Sequence, residues 1–238
     1  MKCKLCGKER PLRQSHIIPE FAFSPLYDEK HRFNEISLDV KRRNRFKQKG
    51  VRERLLCGQC EQFFSKYEQY ASTVISRYRK SLEFRQVGDL FHLKGFDYNK
   101  LKIFALSILW RASVTKLEFF AEINLEHHES IIHQMLLTES PGDESDYPLM
   151  LFPMYHHGKI QEDLITTPYV SEIEGHKVYC FLFLGLTWAF IVSNKEKSNR
   201  LIECSLSRTG EIIMLPRALE HSPRIVDMAK DMARSGKL

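Results

Sequence analysis

Four of the six cysteines form two C-x-x-C pairs, Cys3 with Cys6 and Cys57 with Cys60, and 50 residues separate the pairs. Two residues between cysteines let both sulfurs face one metal ion, so two pairs supply the four thiolates of a tetrahedral Zn²⁺ site. The alternatives are unrelated thiol pairs or a redox pair, although Cys3 lies too near the N-terminus to follow a buried strand as a redox pair does. The pattern predicts a structural zinc that does no chemistry itself.

A histidine and a carboxylate lie close in sequence to the cysteine pairs, so a zinc bound there would fix the position of the segments that carry them. His16 stands within Ser15–Pro19 (SHIIP), between the two pairs, and Glu61 directly follows Cys60. Imidazole has a pKa near working pH and suits a general base, while a carboxylate suits a hard cation. Each has a structural alternative: His16 as a residue that fixes a loop near zinc, and Glu61 as an acidic residue that favours the N-terminal end of a helix.

Positive charge is concentrated in the first quarter of the chain. Residues 1–60 carry 15 Lys and Arg against 7 Asp and Glu, a net +8, whereas the remaining 21 and 23 give −2. Eight of the basic residues lie between Lys41 and Arg54, a density that attracts phosphate and predicts nucleic-acid binding. The alternative is a solvated loop whose charges only favour solubility. The best candidates for phosphate contact are Arg42, Arg43, Arg45, Lys47 and Lys49.

The order of these features resembles that of the HNH (His-Me finger, ββα-metal) endonucleases. The resemblance covers Cys3–Glu68: a C-x-x-C pair, a His-apolar-apolar-Pro motif, a basic insert, and L-L-C-x-x-C-E opening a helix. The wider chain is similar to bacterial HNH-like proteins without an established activity, which share these motifs and a later S-I-L-W-R segment, here Ser107–Arg111.

The resemblance implies a metal-dependent endonuclease that cleaves nucleic-acid phosphodiester bonds, with DNA as the expected substrate. His16 would be the general base that activates the attacking water, and Glu61 would hold a catalytic Mg²⁺ or Mn²⁺. Two positions depart from the family: Ser15 replaces the usual Asp, and Val51–Arg54 contains no Asn. These departures motivate the alternative, a non-catalytic zinc-stabilised protein that binds nucleic acid or another protein.

Apolar periodicity predicts an α+β fold in which central helices precede a C-terminal antiparallel sheet. The resemblance implies that residues 1–85 form a zinc-stabilised ββα-metal-like module, and residues 86–238 would then form an α+β domain of unknown role. Predicted helices are Glu61–Phe84, Asn99–Phe120 (capped by Asp97 or Asn99), Glu126–Leu137 and Asp227–Arg234. Predicted strands are Leu90–Leu93, Leu149–Met154, Val178–Leu184, Thr187–Val192, Leu201–Ser205 and Glu211–Leu215.

Composition and hydropathy predict a cytoplasmic protein without a membrane partner. The 238 residues are 43% hydrophobic and 28% charged, which fits a globular protein and excludes a disordered chain. No apolar signal segment follows Met1, and the longest apolar run, Val178–Val192, is shorter than the roughly 20 residues that span a bilayer. Cys180 and Cys204 are expected to be buried in strands. The residues expected at the surface include His127, His128, His133, His156 and His157.

Overall fold

Two strands that are distant in sequence lie side by side directly before a long helix. The computed structural model describes residues 1–37, 39, 41–78, 84–87 and 90–237. Strand β1 (Leu12–His16) and strand β4 (Arg52–Cys57) pair antiparallel, and helix α1 (Gly58–Arg77) follows at once. Between β1 and β4 lie a 3₁₀ helix, Glu20–Leu26, and a short antiparallel pair, β2 and β3. The bounds of that pair are Phe33–Glu35 for β2 and Arg45–Lys47 for β3.

The rest of the chain surrounds a buried helix with sheets. The elements are β5 (Phe84–Val87), β6 (Leu90–Leu93), α2 (Tyr98–Val114), a 3₁₀ turn (Glu118–Phe120), α3 (His128–Thr138), β7 (Leu149–His156), β8 (Lys159–Ile160), β9 (Tyr169–Ile173), β10 (His176–Phe183), β11 (Leu186–Ile191), α4 (Asn199–Glu203), β12 (Ile212–Met214), β13 (Arg217–Ala218), a 3₁₀ turn (Leu219–His221) and α5 (Pro223–Arg234). The largest sheet has the order β13-β7-β11-β10-β9, with β8 beside β7; only β13 runs parallel to its neighbour. A smaller sheet has the order β12-β6-β5.

This architecture confirms the α+β prediction and most of the predicted elements. Asp97 caps α2 as one of the two expected candidates, because its carboxylate accepts the N–H of Lys100 at 3.0 Å. The helix predicted to run to Phe120 ends at Val114, since Thr115 is extended and its hydroxyl donates to Glu53 of β4.

Two other predicted elements differ from the structure. The helix expected to reach Phe84 ends at Arg77; residues 79–83 lie outside the described residues, and Phe84 opens β5. The strand expected over Leu201–Ser205 is wrong, because α4 occupies that segment, with the Ser198 hydroxyl accepting the N–H of Leu201 as its N-cap. Cys204 therefore ends a helix half-buried, whereas Cys180 is buried in β10 as expected.

One apolar core joins the N-terminal strands to the large sheet. Helix α2 lies at its centre and is buried continuously from Leu101 to Ala112. On one side it contacts α1, and on the other its Phe104 ring lies 5.7 Å from Trp188 of β11. The predicted boundary between residues 85 and 86 stays a prediction. No helix in the described part of the chain is both long and apolar enough to cross a membrane.

Candidate metal centre and histidine site

The four paired cysteines meet at one point. The sulfurs of Cys3, Cys6, Cys57 and Cys60 all lie within 4.8 Å of one another. The Sγ–Sγ distance is 3.9 Å from Cys6 to Cys57 and 3.6 Å from Cys57 to Cys60. Four sulfurs at about 2.3 Å from a tetrahedral ion would be separated by about 3.8 Å. The four thiols are therefore positioned to bind a metal ion.

Backbone contacts hold the two cysteine pairs together. The N–H of Lys4 donates to the carbonyl of Leu55 at 3.0 Å, and the N–H of Cys57 points to the Cys3 sulfur at 3.3 Å. Helix α3 supports the first pair from outside, because His133 Nε2 lies 2.7 Å from the carbonyl of Leu5. The site is thus a junction of three segments that are far apart in the sequence.

The electrostatics of the cluster favour a thiolate. Burial opposes ionisation of Cys57, but the backbone N–H of Cys60 and the neighbouring thiols outweigh it and lower the Cys57 pKa to about 6. Burial and the same thiols raise the pKa of Cys60. The proximity of the thiols thus shifts the pKa values of Cys57 and Cys60 in opposite directions. A divalent ion would stabilise the remaining thiolates.

Beside this junction, the motif around His16 contacts the motif that follows the second cysteine pair. Ser15 is buried, and its hydroxyl donates to the carboxylate of Glu61 while accepting the N–H of Leu56 at 3.1 Å. Burial raises the pKa of Glu61, and the Ser15 hydroxyl and the Arg111 charge oppose that shift. Ser15 therefore fixes the carboxylate through a hydrogen bond, at the position where the resemblance leads one to expect an Asp.

The third motif reaches the same place from the centre of the molecule. Arg111, in the S-I-L-W-R segment of α2, has a side chain only 1% exposed, and its Nη1 donates to the carbonyl of His16 at 2.6 Å. The same nitrogen lies 2.9 Å from Glu68 Oε1 of α1. Its Nε and Nη2 donate to the carbonyl and the hydroxyl of Ser107. Arg111 thus ties β1, α1 and α2 together directly behind the histidine.

A carboxylate that the sequence did not single out lies against the His16 ring. Nε2 is shielded from solvent and lies 2.9 Å from Glu20 Oε2, outside hydrogen-bond geometry, so the two groups form an ion pair only when the ring is protonated. The Tyr27 hydroxyl and the N–H of Gly50 donate to the same carboxylate and fix its position. The side chain of His16 is 25% exposed.

The charges around the ring determine its protonation state. Burial is the largest influence and lowers the pKa of His16 below its ordinary value, and the Arg52 and Arg111 charges act in the same direction. The carboxylates of Glu20 and Glu68 oppose them. The imidazole is consequently neutral at pH 7 and able to accept a proton, which a general base requires.

Two arginines flank His16 on the β1–β4 ribbon. His16 pairs in register with Arg52, and Gln14 pairs with Arg54. Directly opposed residues of an antiparallel pair share a face, and so do residues two apart, so these four side chains line one face of the ribbon. Arg52 and Arg54 are exposed. The sequence identified both as part of the basic run but could not place them beside the histidine, because that needs the register of two strands 35 residues apart.

The five predicted phosphate-binding residues differ in their availability. Arg42 pairs with Glu118 at 3.0 Å and Asp39 at 3.5 Å, and Lys47 pairs with Glu35. By contrast, among the residues that the structure describes, no carboxylate lies within ion-pair distance of three exposed cations. Those cations are Arg43, Arg45 and Lys49. Of the five predicted residues, these three therefore carry a charge that no described carboxylate neutralises.

Within the described residues, Glu61 does not belong to a group of three or more converging ligand atoms. The four cysteines are the only group there whose three or more ligand atoms converge. Glu61 is engaged by Ser15, and Glu68 is engaged by Arg111. A catalytic Mg²⁺ or Mn²⁺ on Glu61 stays a prediction.

Two histidines expected at the surface are not there. His128 is 9% exposed, and its Nδ1 lies 2.9 Å from the Tyr147 hydroxyl. His133 is half-buried, because it stacks on Trp110 with ring centroids 5.3 Å apart while it contacts the first cysteine pair. Their positions at the inner face of α3 explain both differences. The other three, His127, His156 and His157, are exposed as expected.

Comparison of the chain with protein-family models, with curated proteins and with solved structures finds no match. The likeness to HNH endonucleases accordingly stays a prediction that depends on the motifs, of which the four-cysteine cluster is the part that the structure bears out.

Proposed function

We propose that the protein is a nucleic-acid phosphodiesterase of the HNH type, in which a structural zinc holds a β-β-α unit and His16 acts as the general base. The observation that carries the proposal is the convergence of three motifs on one histidine. His16 ends β1, Ser15 beside it binds Glu61 of α1, and Arg111 of α2 binds the His16 carbonyl. None of these contacts involves a cysteine of the cluster, so they form an arrangement around His16 in addition to the metal site.

The proposed mechanism assigns each side chain a task. Glu20 faces Nε2 of His16 and favours the tautomer with its proton there, which leaves Nδ1 to take a proton from an attacking water. The same carboxylate stabilises the imidazolium that then forms. Arg52, opposite His16 in the ribbon, would bind the scissile phosphate and offset the charge that develops on it.

The zinc has a structural task in this scheme. Thiolates of Cys3, Cys6, Cys57 and Cys60 would complete its coordination, and a closed four-sulfur site leaves no position for water or substrate. If the four cysteines bind zinc, purified protein should contain one zinc per chain. Elemental analysis should show that Cys6→Ser loses this zinc and that Cys204→Ser keeps it. Cys204 is a matched control because it is also half-buried but lies outside the cluster.

Nicking of supercoiled plasmid tests the proposed activity, with Mg²⁺, with Mn²⁺ and with EDTA. General-base catalysis contributes about 10²- to 10⁴-fold, so His16→Ala should lower the rate by at least about 100-fold. His157→Ala, at an exposed histidine, should leave the rate unchanged. Cleavage that survives in His16→Ala would exclude the assigned base.

A second function is favoured by one observation: within the described residues, no second or third ligand atom of a His, Cys, Asp or Glu group of three converges with Glu61. The chain would then bind nucleic acid without cleaving it. Salt-sensitive binding that is indifferent to His16→Ala, together with no nicking under any metal condition, would support this function over the first.

A further inference from the structure

An exposed phenylalanine stands in the middle of the basic segment. In the β2–β3 pair, Phe33 opposes Lys47 and Asn34 opposes Phe46. Phe33 faces the core, where its ring lies 5.3 Å from that of Phe23. Side chains alternate across a strand, so Phe46 points the opposite way, and it is 64% exposed. The fold therefore presents this ring to solvent as a consequence of register.

An arginine is held over that ring. The guanidinium carbon of Arg32 lies 4.5 Å from the centroid of Phe46. Asp28 fixes the guanidinium by accepting from its Nε at 3.1 Å and its Nη2 at 2.8 Å. The other oxygen of Asp28 accepts the N–H groups of Lys30 and Arg32, so the carboxylate is itself anchored to the turn. Arg32 and Phe46 consequently form a pre-organised pair of planar groups.

The charges nearby indicate what such a surface would contact. Arg43, Arg45 and Lys49 lie within three residues of Phe46, are exposed, and have no carboxylate partner in the described part of the chain. A ligand that satisfies both features carries repeated negative charge and flat apolar faces. An unpaired nucleotide has both, whereas an acidic peptide lacks the regular planar groups.

We propose that Phe46 and Arg32 form a stacking platform for an unpaired base, so that this segment binds single-stranded nucleic acid. The inference rests on the proposed function, because it specifies which form of nucleic acid the basic segment binds. In a duplex the faces of the bases are already stacked, so the platform would contribute little there.

Binding of an oligo(dT) strand and of a DNA duplex tests the platform. Stacking of one base accounts for an about 5-fold or larger change in affinity, so Phe46→Ala should weaken oligo(dT) binding at least that much and leave duplex binding nearly unchanged. Phe46→Trp should retain affinity. Val170→Ala, at a 42% exposed apolar residue of β9, is the matched control and should change neither.

Fluorescence gives an independent readout. The chain has two tryptophans, Trp110 and Trp188, which are 2% and 0% exposed. An exposed tryptophan in Phe46→Trp should therefore be quenched selectively by oligo(dT). Salt-sensitive binding of wild type with no quenching and with full affinity in Phe46→Ala would overturn the platform and leave the proposed function standing. Absence of any nucleic-acid binding by wild type would overturn both.

Discussion

At the scale of single residues, the protonation of His16 depends on opposing neighbours. Burial, Arg52 and Arg111 favour the neutral ring, and the Glu20 and Glu68 carboxylates favour the charged one. Among the charges, Glu20 has the largest influence, and its Oε2 lies 2.9 Å from Nε2. Tyr27 and Gly50 hold the Glu20 carboxylate in a fixed position. Removing its charge therefore tests how much Glu20 contributes to the pKa of His16.

Glu20→Gln should lower the pKa of His16 further below 6.5, since the substitution removes the largest influence that raises it. The pKa is measured by NMR titration of the ring proton that disappears in His16→Ala. In the window between the depressed pKa and the ordinary one, the unfolded state binds more protons, so the free energy of unfolding rises with pH. Because Glu20→Gln lowers the His16 pKa, the lower end of this pH range should move to a lower pH. A His16 pKa that rises in this variant would contradict the assigned contact.

Arg111 offers a second test, because it is buried and has four polar partners. Arg111→Met should lower the free energy of unfolding by about 3 kcal/mol, as it leaves the His16 carbonyl and the half-buried Glu68 without their partner. Urea unfolding measures the change. Ser107→Ala removes only one acceptor of the same side chain and should cost about 1 kcal/mol. Equal stability of Arg111→Met and wild type would show that the contact does not hold β1 against α2.

At the scale of elements, one glycine controls how the small sheet meets α2. Gly210 lies just before β12, its φ is +76°, and its carbonyl accepts the N–H of Phe96 at 3.1 Å. A Cβ at Gly210 would collide with the carbonyl oxygen of Phe96, which is backbone and cannot rotate away. The approach of these two segments therefore requires a residue without a side chain.

Gly210→Ala should destabilise the protein by about 2 kcal/mol more than Gly158→Ala. Gly158 is a matched control because its φ is +74° and a Cβ at this position would have no other atom within 4 Å. Both variants bear the same left-handed backbone cost of about 1 kcal/mol, so the difference reports the contact with Phe96. Thermal unfolding compares them, and indistinguishable midpoints would contradict the close approach.

The elements that could be predicted from sequence are those with long apolar periods. Helices α2 and α3 and strands β7, β10 and β11 fall where the pattern placed them. The segment that forms α4 has only five residues, too few for a helical period to appear, so its N-cap at Ser198 decided its conformation. The metal ligands were predictable from sequence, but Arg52 and Arg111 were not, because strand pairing and a contact across 95 residues bring them to His16. Glu20 lies only four residues from His16, and its position depends on a short 3₁₀ helix that no sequence pattern predicted.

At the scale of the whole molecule, the positive charge is concentrated in one part of the chain, whereas the apolar packing is not. The main apolar core extends from the N-terminal segment to the large sheet, and a second apolar cluster lies on the same sheet, whereas the positive excess lies within residues 1–60 and the rest carries a net −2. The β1–β4 ribbon and the β2–β3 pair display part of that excess around His16 and Phe46. A polyanion approaching the protein would consequently be attracted to one region, and binding should depend on where a charge is removed.

Two double variants with the same change in net charge test this dependence. Arg43→Gln with Lys49→Gln should reduce the slope of log Kobs against log salt by about 1.4 for a single strand, because each lost phosphate contact removes about 0.7. Lys159→Gln with Arg200→Gln removes two exposed cations from the acidic remainder of the chain and should leave the slope as in wild type. The slopes come from titrations with a labelled oligonucleotide at several salt concentrations. Equal reductions in both variants would mean that net charge alone attracts nucleic acid and that the N-terminal segment has no special role.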